Sequence, residues 1–330
     1  MRAVTTYIPP MADQPRRYGV TVPFSGVPLH AHREWFEELE SLGYTDVWSA
    51  EADGADGFTP LALAAAWTDT LRGGVAIVPA FTRGPALMAQ TAASLADAAP
   101  GRFALGIGAS SPAIVERWNG IPFEQAFRRT RDMVRFLRAA LTGEKVTERY
   151  DTFEVQGFRL GLVPEQTPPV LVAALRPGML RLAGDEADGA IINWLSAADV
   201  ERVVPYVNGK EVVARIFVAP TDDFDQVRAM ARRMITGYLT VDVYAKFHEW
   251  LGRGPALQPM WDAWAAGERA KALELVPDEV VDELIVWGPP ERVRAGVEAY
   301  AANGVTTTAP IIIGRGDVVR DTIRALAPGA

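Results

Sequence analysis

The repeating distance between short apolar runs constrains the fold more than any other feature of this sequence. Runs that are typical of buried strands end near Trp48, Val78 and Gly108, a step of 30 residues each time. That is about the length of one strand, one helix and their connections. Eight such units close a barrel, and 330 residues suffice for one barrel with insertions. We therefore predict an α/β fold, a (β/α)8 TIM barrel, with a doubly wound open sheet as the alternative.

The predicted strands alternate with amphipathic helices along most of the chain. They are Arg17–Val22, Asp46–Trp48, Gly73–Val78, Phe103–Gly108, Val170–Ala173, Gly189–Asn193, Val212–Val218 and Thr307–Ile313. One domain is predicted over residues 17–330, after a disordered lead-in at residues 1–16 in which Met11 is an alternative start. Residues 121–162 (a helix, then a hairpin of Val146–Arg149 and Thr152–Val155) and 238–286 break the rhythm. Such insertions commonly form a lid over the carboxyl face or an oligomer contact, and both interpretations stay open.

Composition excludes several classes of protein and site. The net charge of −8 argues against nucleic acid and anionic membrane surfaces as partners, because both require a basic face. No apolar run is long enough to span a membrane and no signal core is present, so we predict a cytoplasmic protein. Cysteine is absent, which excludes disulfides and thiol catalysis. The spacing of His30, His32 and His248 does not suggest a metal site.

Small and polar residues collect where the predicted strands end. The most informative segment is Arg102 to Gly108, RFALGIG, because glycine at a strand end allows another backbone or a flat ligand to approach closely. The carboxyl ends of barrel strands share one face, so these residues predict a pocket for a flat cofactor. The five strand ends are Trp48 to Glu51, Val78 to Arg83, Gly108 to Ser111, Ala173 to Pro177 and Asn193 to Ser196.

These segments, in this order, resemble the luciferase-like monooxygenase superfamily, and within it the deazaflavin (coenzyme F420)-dependent oxidoreductases of actinobacteria. The resemblance covers roughly residues 17 to 325. The matching segments are GVAIVPAFTRGP (73–85), RFALGIGASSP (102–112), RTRDMVRFLRAALTGE (129–144), PPVLVAALRPGMLRLAGDEADGAIINWLS (168–196) and GPPERVRAGVEAYAANGV (288–305).

The resemblance implies a TIM barrel that binds a flavin or deazaflavin at its carboxyl face and transfers hydride to a small-molecule substrate, and we predict a homodimer. It implies a non-proline cis peptide near Val75-Ala76, behind the cofactor ring. It places Ala173 to Gly178 at the cofactor phosphate, with Arg176 as an added charge. The full set of predicted cofactor-binding residues is Ser49, Val75, Ala76, Ile77, Gly108, Ala109, Ser110, Ala173, Ala174, Leu175, Arg176, Pro177, Asn193, Trp194 and Ser196.

Several of these residues also have a purely structural interpretation. Arg176 is then a solvated loop arginine, and Ser196 caps the helix that follows it. Glu51 is the candidate catalytic residue, for proton exchange; alternatively it caps a turn or pairs with Arg83. Four aromatic residues are predicted either to wall the substrate or to pack within the fold: Trp48, Phe81, Trp118 and Trp194.

We predict an F420-dependent oxidoreductase with an unidentified substrate. Sugar-phosphate oxidation is not expected, because Ala50-Glu51 stands where such relatives carry an Asp-His pair and their phosphate-binding lysines have no match here. One alternative is an FMN-dependent monooxygenase that uses molecular oxygen. Others are a non-catalytic F420-binding protein and a hydrolytic barrel in which Asp53 or Asp56 faces Glu51.

Overall fold

The strands form a closed parallel barrel. The computed structural model describes residues 16–329, so the predicted lead-in and Met11 lie outside the described residues except for Arg16. The barrel order is β1-β2-β3-β5-β8-β9-β10-β12, and β12 pairs back to β1. This confirms the predicted (β/α)8 TIM barrel. The strands are β1 Arg17–Thr21, β2 Asp46–Ser49, β3 Arg72–Val75, β4 Val78–Pro79, β5 Phe103–Gly108, β6 Val146–Arg149, β7 Glu154–Phe158, β8 Val170–Ala173, β9 Gly189–Asn193, β10 Glu211–Ala219, β11 Ile285–Trp287 and β12 Thr307–Ile312.

Helices connect successive barrel strands. The predicted insertion at 121–162 contains α4 and the antiparallel hairpin β6–β7, and that at 238–286 contains α8 to α11 and β11. Among the described residues, no helix combines the length and the apolar character needed to cross a membrane. The α-helices are α1 Arg33–Ser41, α2 Thr59–Trp67, α3 Pro85–Ala98, α4 Ala126–Ala140, α5 Pro177–Glu186, α6 Val200–Val203, α7 Phe224–Leu239, α8 Asp242–Leu251, α9 Gly254–Ala265, α10 Arg269–Glu274, α11 Asp278–Leu284, α12 Pro290–Ala302 and α13 Asp317–Ala325.

The barrel interior is filled around Trp48. Its side chain is wholly buried, and it contacts the inward-facing residues of several other strands. A β-carbon at Gly74 would lie 2.3 Å from the indole ring, and one at Gly19 would lie 2.9 Å from it. Glycine on the two neighbouring strands therefore makes room for a tryptophan inside a narrow barrel.

Buried charges close the amino-terminal end of the barrel. Asp46 on β2 accepts hydrogen bonds from Arg17 and from Arg72, and Arg72 also pairs with Glu211 on β10. Burial opposes the charge on Arg72, but Glu211 and Asp46 hold the pKa of its guanidinium above the ordinary value. Every charge in this group has a partner, and this end of a TIM barrel usually serves stability rather than catalysis.

Candidate functional site

The third barrel strand carries a bulge near its carboxyl end. Below the bulge, Gly74 of β3 pairs with Ala104 of β5; above it, Val78 of β4 pairs with Ile107. Gly74 to Val78 is four steps along the chain, whereas Ala104 to Ile107 is three, so the third strand holds one extra residue. The prediction of one continuous strand over Gly73–Val78 is therefore wrong. The extra residue interrupts the pairing with β5, and a bulge of this kind bends the strand and changes the direction of its side chains.

The non-proline cis peptide lies in this bulge, between Ala76 and Ile77. Its predicted position, Val75-Ala76, is one residue too early. Val75 still pairs with Ser49 of β2 and is the last residue of β3, so the departure from regular strand begins only after it.

Two glycines of β5 allow close contact beside the bulge. A β-carbon at Gly106 would lie 2.0 Å from the carbonyl oxygen of Val75. A β-carbon at Gly108 would lie 2.8 Å from the β-carbon of Ala173 and 3.3 Å from the side chain of Ile77. The structure thus brings together predicted site residues from three adjacent barrel strands.

Several predicted site residues at this part of the carboxyl face are accessible. Ile77, Ala109, Ser110 and Ala173 are partly accessible, whereas Val75, Ala76 and Ala174 are buried. Apolar and short side chains with few polar groups are typical of a site for a flat ring.

Two predicted site residues have left-handed backbone conformations. Ser110, just after β5, has φ of 65°, and Trp194, just after β9, has φ of 53°. Non-glycine residues with positive φ are uncommon, and a bulky one is an outlier. Such conformations tend to cluster at functional sites, which supports the location of the site at this face.

Glu51 lies at the edge of this face and connects three segments. Its backbone N–H donates to the carbonyl of Ile77 in the bulge, at 3.2 Å. Its carboxylate accepts from Arg83 at 2.6 Å and from the N–H of Gly57 at 3.1 Å. The structural alternative for Glu51 predicted a turn contact or an ion pair with Arg83, and both are present. The Glu51 side chain is nevertheless 16% exposed.

The end of β8 leads into an accessible helix N-terminus. Arg176 precedes α5 and is exposed, and Pro177 is the first residue of the helix. A β-carbon at Gly178 would meet no heavy atom within 4 Å. The first backbone N–H groups of α5 have no partner within the helix, and an open helix N-terminus of this kind attracts anions.

The comparison with known families agrees with this geometry. The sequence model described as luciferase-like monooxygenase matches residues 8–307. This chain belongs to the luciferase-like monooxygenase family.

The relatives of this luciferase-like chain include several F420-dependent enzymes by name. A Mycobacterium tuberculosis protein named as a coenzyme F420-dependent oxidoreductase is 26% identical, over 89% of this chain and 94% of its own. The 5,10-methylenetetrahydromethanopterin reductase of Methanolobus tindarius is 26% identical, over 81% of this chain and 85% of its own. The structure of the coenzyme F420-dependent tetrahydromethanopterin reductase from Methanopyrus kandleri superposes with a TM-score of 0.76 at 20% identity, covering 95% of this chain and 98% of that one. This last likeness shows the shared fold.

The side chains of Ser49 and Ser196 are engaged elsewhere in this luciferase-like barrel. The Ser49 hydroxyl is buried and donates to the carbonyl of Gly57. Ser196 donates to Asp199 at 2.8 Å and accepts from the Asp199 N–H at 3.2 Å and from Arg253 at 3.3 Å. Ser196 therefore stabilises the turn that leads into α6, whose N-cap position is Asp199, and both serine hydroxyls are taken up by protein groups.

The four aromatic candidates for a substrate wall are scattered. Trp48 is buried inside the barrel, and Trp194 is buried with its ring 4.2 Å from that of Phe217. The buried ring of Phe81 lies 5.2 Å from that of Phe123, and Trp118 is 58% exposed. The side chains of Trp48 and Trp194 pack within the fold, so a ligand contact by Trp194 would come from its strained backbone.

Neither candidate for the second acid of a hydrolytic site is positioned to act together with Glu51. Asp56 accepts from the N–H groups of Phe58 and Thr59, at the start of α2. Burial opposes ionisation, but the hydrogen bonds from Thr59 and Phe58 hold the pKa of Asp56 below its ordinary value. Asp56 is thus an anionic acceptor in the turn before α2, and Asp53 is exposed.

His248 is a buried neutral base close to this luciferase-like site. It is completely buried on α8. Burial and the nearby Arg253 cation lower its pKa to about 4, against the weaker opposing effects of Asp199 and the backbone of Trp194. His248 therefore contributes stability only while it stays unprotonated.

We expect stability to fall on acidification because of His248. A histidine whose pKa is about 4 when folded and 6.5 when unfolded stabilises fully above pH 6.5 and loses this contribution as the pH falls toward 4. The loss by about pH 5 is roughly 2 kcal/mol. Urea unfolding at about pH 7.5 and pH 5 measures it. His248→Gln should unfold with a smaller difference between the two pH values than the unmodified protein; an equal difference would contradict this assignment.

Sequence reasoning missed three residues at the carboxyl face: Arg215 on β10, Tyr238 on α7 and Tyr244 on α8. The amide of Asn193 lies 3.5 Å from the Tyr244 hydroxyl, and the rings of the two tyrosines meet edge to face at 5.6 Å. The start of the 238–286 segment therefore lies against the barrel mouth. One signal was available: Arg215 interrupts a strand that is otherwise almost entirely apolar.

Proposed function

We propose that this chain is an F420-dependent oxidoreductase that moves a hydride between coenzyme F420 and a small organic substrate. The observation that carries the proposal is the meeting of Ile77, Gly108 and Ala173 beside the bulge, where the side chains of Ile77 and Ala173 remain partly accessible. The name of the Mycobacterium tuberculosis relative supports F420 as the cofactor.

The residues present fit this cofactor at two places. Ile77, Gly108, Ala109 and Ser110 would contact the ring. The backbone N–H groups between Ala174 and the first turn of α5 would hold the phosphate, apart from Pro177, which has no N–H, since the Ala174 N–H already donates to the carbonyl of Ile191. When bound, F420 supplies or accepts the hydride. The protein orients the substrate, limits its contact with water and manages the accompanying proton.

Glu51 is the proposed proton carrier. It is tied to the bulge through Ile77 and presents a carboxylate at the edge of the site. A hydride transferred to an unsaturated organic acceptor leaves a negative charge that a proton must neutralise, and a positioned carboxyl group can relay that proton.

Fluorescence titration with F420 and with FMN tests the cofactor. We expect tighter binding of F420, followed by anaerobic turnover of the reduced cofactor with a member of a panel of enones, imines and quinones. Tighter FMN binding with oxygen consumption would replace the proposal with a monooxygenase. F420 binding without hydride exchange on any acceptor would indicate a carrier protein.

The phosphate contact gives a separate prediction. We expect Arg176→Ala to weaken F420 binding by roughly 1–3 kcal/mol, the contribution of a charge-assisted hydrogen bond. The loss should be much smaller for a deazaflavin fragment without the phosphate. The matched control is Arg181→Ala, which should bind F420 normally. Arg181 lies within α5, and its guanidinium lies 5.4 Å from the centre of the Tyr206 ring. Equal losses for both ligands would make Arg176 a solvated loop residue.

The oligomeric state and the cellular location are also part of the proposal. We keep the homodimer and the cytoplasm as expectations, which light scattering and cell fractionation test directly.

A further inference from the structure

Arg215 is a half-buried cation that has no ionic partner among the residues the structure describes. Its Nε is inaccessible and has no hydrogen-bond partner among residues 16–329. The titratable groups that act on it are the phenols of Tyr238 and Tyr244, so no carboxylate among the described residues compensates the charge. Burial accordingly lowers the pKa of the Arg215 guanidinium.

The contrast with Arg72 shows how unusual this is. Both arginines lie on barrel strands, but Arg72 at the amino-terminal end contacts Asp46 and Glu211. Removing part of a charged group from water without giving it a partner costs free energy, so an unpaired arginine at this position calls for an explanation. Arg215 therefore has the properties of a group that awaits an external anion.

The position of Arg215 in the barrel places that anion opposite the bulge. Around the ring of eight strands, β10 is four strands away from β3 in either direction. Arg215 pairs in register with Asn193 of β9 and Ala309 of β12. It lies two residues beyond Val213, which belongs to the buried interior cluster, and therefore at the carboxyl side of that cluster.

Neutral donors lie near Arg215. The Asn193 amide and the Tyr244 hydroxyl lie 3.5 Å apart, and the pKa of Tyr244 is raised to about 12 by burial, so it remains a neutral phenol. Tyr238 packs its ring against Trp194 at 4.8 Å and is 43% exposed. A site with one cation and several neutral donors suits a ligand group that has a single negative charge and accepts several hydrogen bonds.

We propose that Arg215, Asn193 and Tyr244 bind the carboxylate of an organic-acid substrate. This assignment rests on the proposed function, because a cofactor seated on the bulge would face Arg215 across the barrel mouth, with the substrate between them. A carboxylate can accept both N–H groups of one guanidinium edge. The phosphate-binding end at α5 follows β8, and β9 separates that strand from β10.

The test uses matched acids and primary amides: crotonate, cinnamate and phenylacetate, each with its amide. Calorimetry and thermal shift are measured on the F420-loaded protein and on the protein without cofactor. We expect at least one acid to bind at least tenfold more tightly than its amide, and Arg215→Gln to remove that preference. Arg233→Gln, an exposed arginine of α7, is the control and should keep it.

Stability and cofactor affinity separate the alternatives. Arg215→Gln should melt at the same temperature as the unmodified protein or higher, because an unpaired, half-buried charge is removed; a clear drop would indicate a structural residue and overturn the proposal. A tenfold loss of F420 affinity would assign Arg215 to the cofactor instead. No acid preference in the unmodified protein would also overturn it. If F420 itself fails to bind, the proposed function fails, whereas the acid preference without cofactor still decides the Arg215 site.

Discussion

Glu51→Gln is expected to lower turnover by roughly 10²- to 10⁴-fold, the usual contribution of a positioned acid or base. Glutamine keeps the shape of the side chain and can still accept from the Gly57 N–H, but it cannot carry a proton. F420 binding should survive, because the backbone contact between Glu51 and Ile77 does not involve the side chain. The measurement is anaerobic oxidation of reduced F420 by the most active acceptor of the panel, beside a fluorescence titration.

The ion pair with Arg83 provides the control for this variant. Arg83 donates to Glu51 at 2.6 Å, and its guanidinium lies 4.7 Å from the centre of the Phe58 ring. If Glu51 serves only that pair, Arg83→Gln should lower turnover as much as Glu51→Gln, and the double variant should be no worse than either. If Glu51 carries the proton, Arg83→Gln should retain most of the turnover. Equal losses in both single variants would remove Glu51 from the chemistry.

Much of the barrel could be predicted from local patterns. Phe103–Gly108, Val170–Ala173 and Gly189–Asn193 are strands with the predicted bounds, because each is a short apolar run between a helix and a turn. The bulge could not be predicted from the run GGVAIVP, which is apolar throughout. Its extra residue exists only relative to β5, where Gly106 admits the carbonyl of Val75. The short strand β11 was missed because its pairing with the end of β10 depends on the preceding helices.

The parts of the candidate site that depend on backbone shape could be predicted from the sequence. The parts that depend on a hydrogen-bond or ionic partner far away in the sequence could not. Gly108 and Ala173 meet because small residues at adjacent strand ends must be neighbours in a closed barrel. Ser49 has the right strand position, but the carbonyl of Gly57 takes its hydroxyl. The lack of a carboxylate beside Arg215 cannot be read from the sequence, because acidic residues are plentiful and only the fold shows that none in the described part of the chain reaches it.

Gly106→Ala is expected to have the largest effect on stability and cofactor binding together. The added β-carbon would lie 2.0 Å from the Val75 carbonyl oxygen and 2.4 Å from the side chain of Ile191. The first of these atoms belongs to the backbone, so the bulge itself must move. We expect the free energy of unfolding to fall by about 3 kcal/mol, at the upper end of the usual cost of overpacking. F420 affinity should fall more than tenfold, because Ile77 and the neighbouring residues proposed to contact the ring shift with the bulge.

Gly161→Ala is the matched control for this change. A β-carbon at Gly161 would meet no heavy atom within 4 Å, so the same substitution there should alter neither stability nor binding appreciably. Urea unfolding measures the first quantity and fluorescence titration at low temperature, where the variant remains folded, measures the second. Unchanged stability in Gly106→Ala would contradict the close approach of β3 and β5. Lower stability with normal F420 affinity would separate the bulge from the cofactor, and the ring would then have to rest on another part of the barrel mouth.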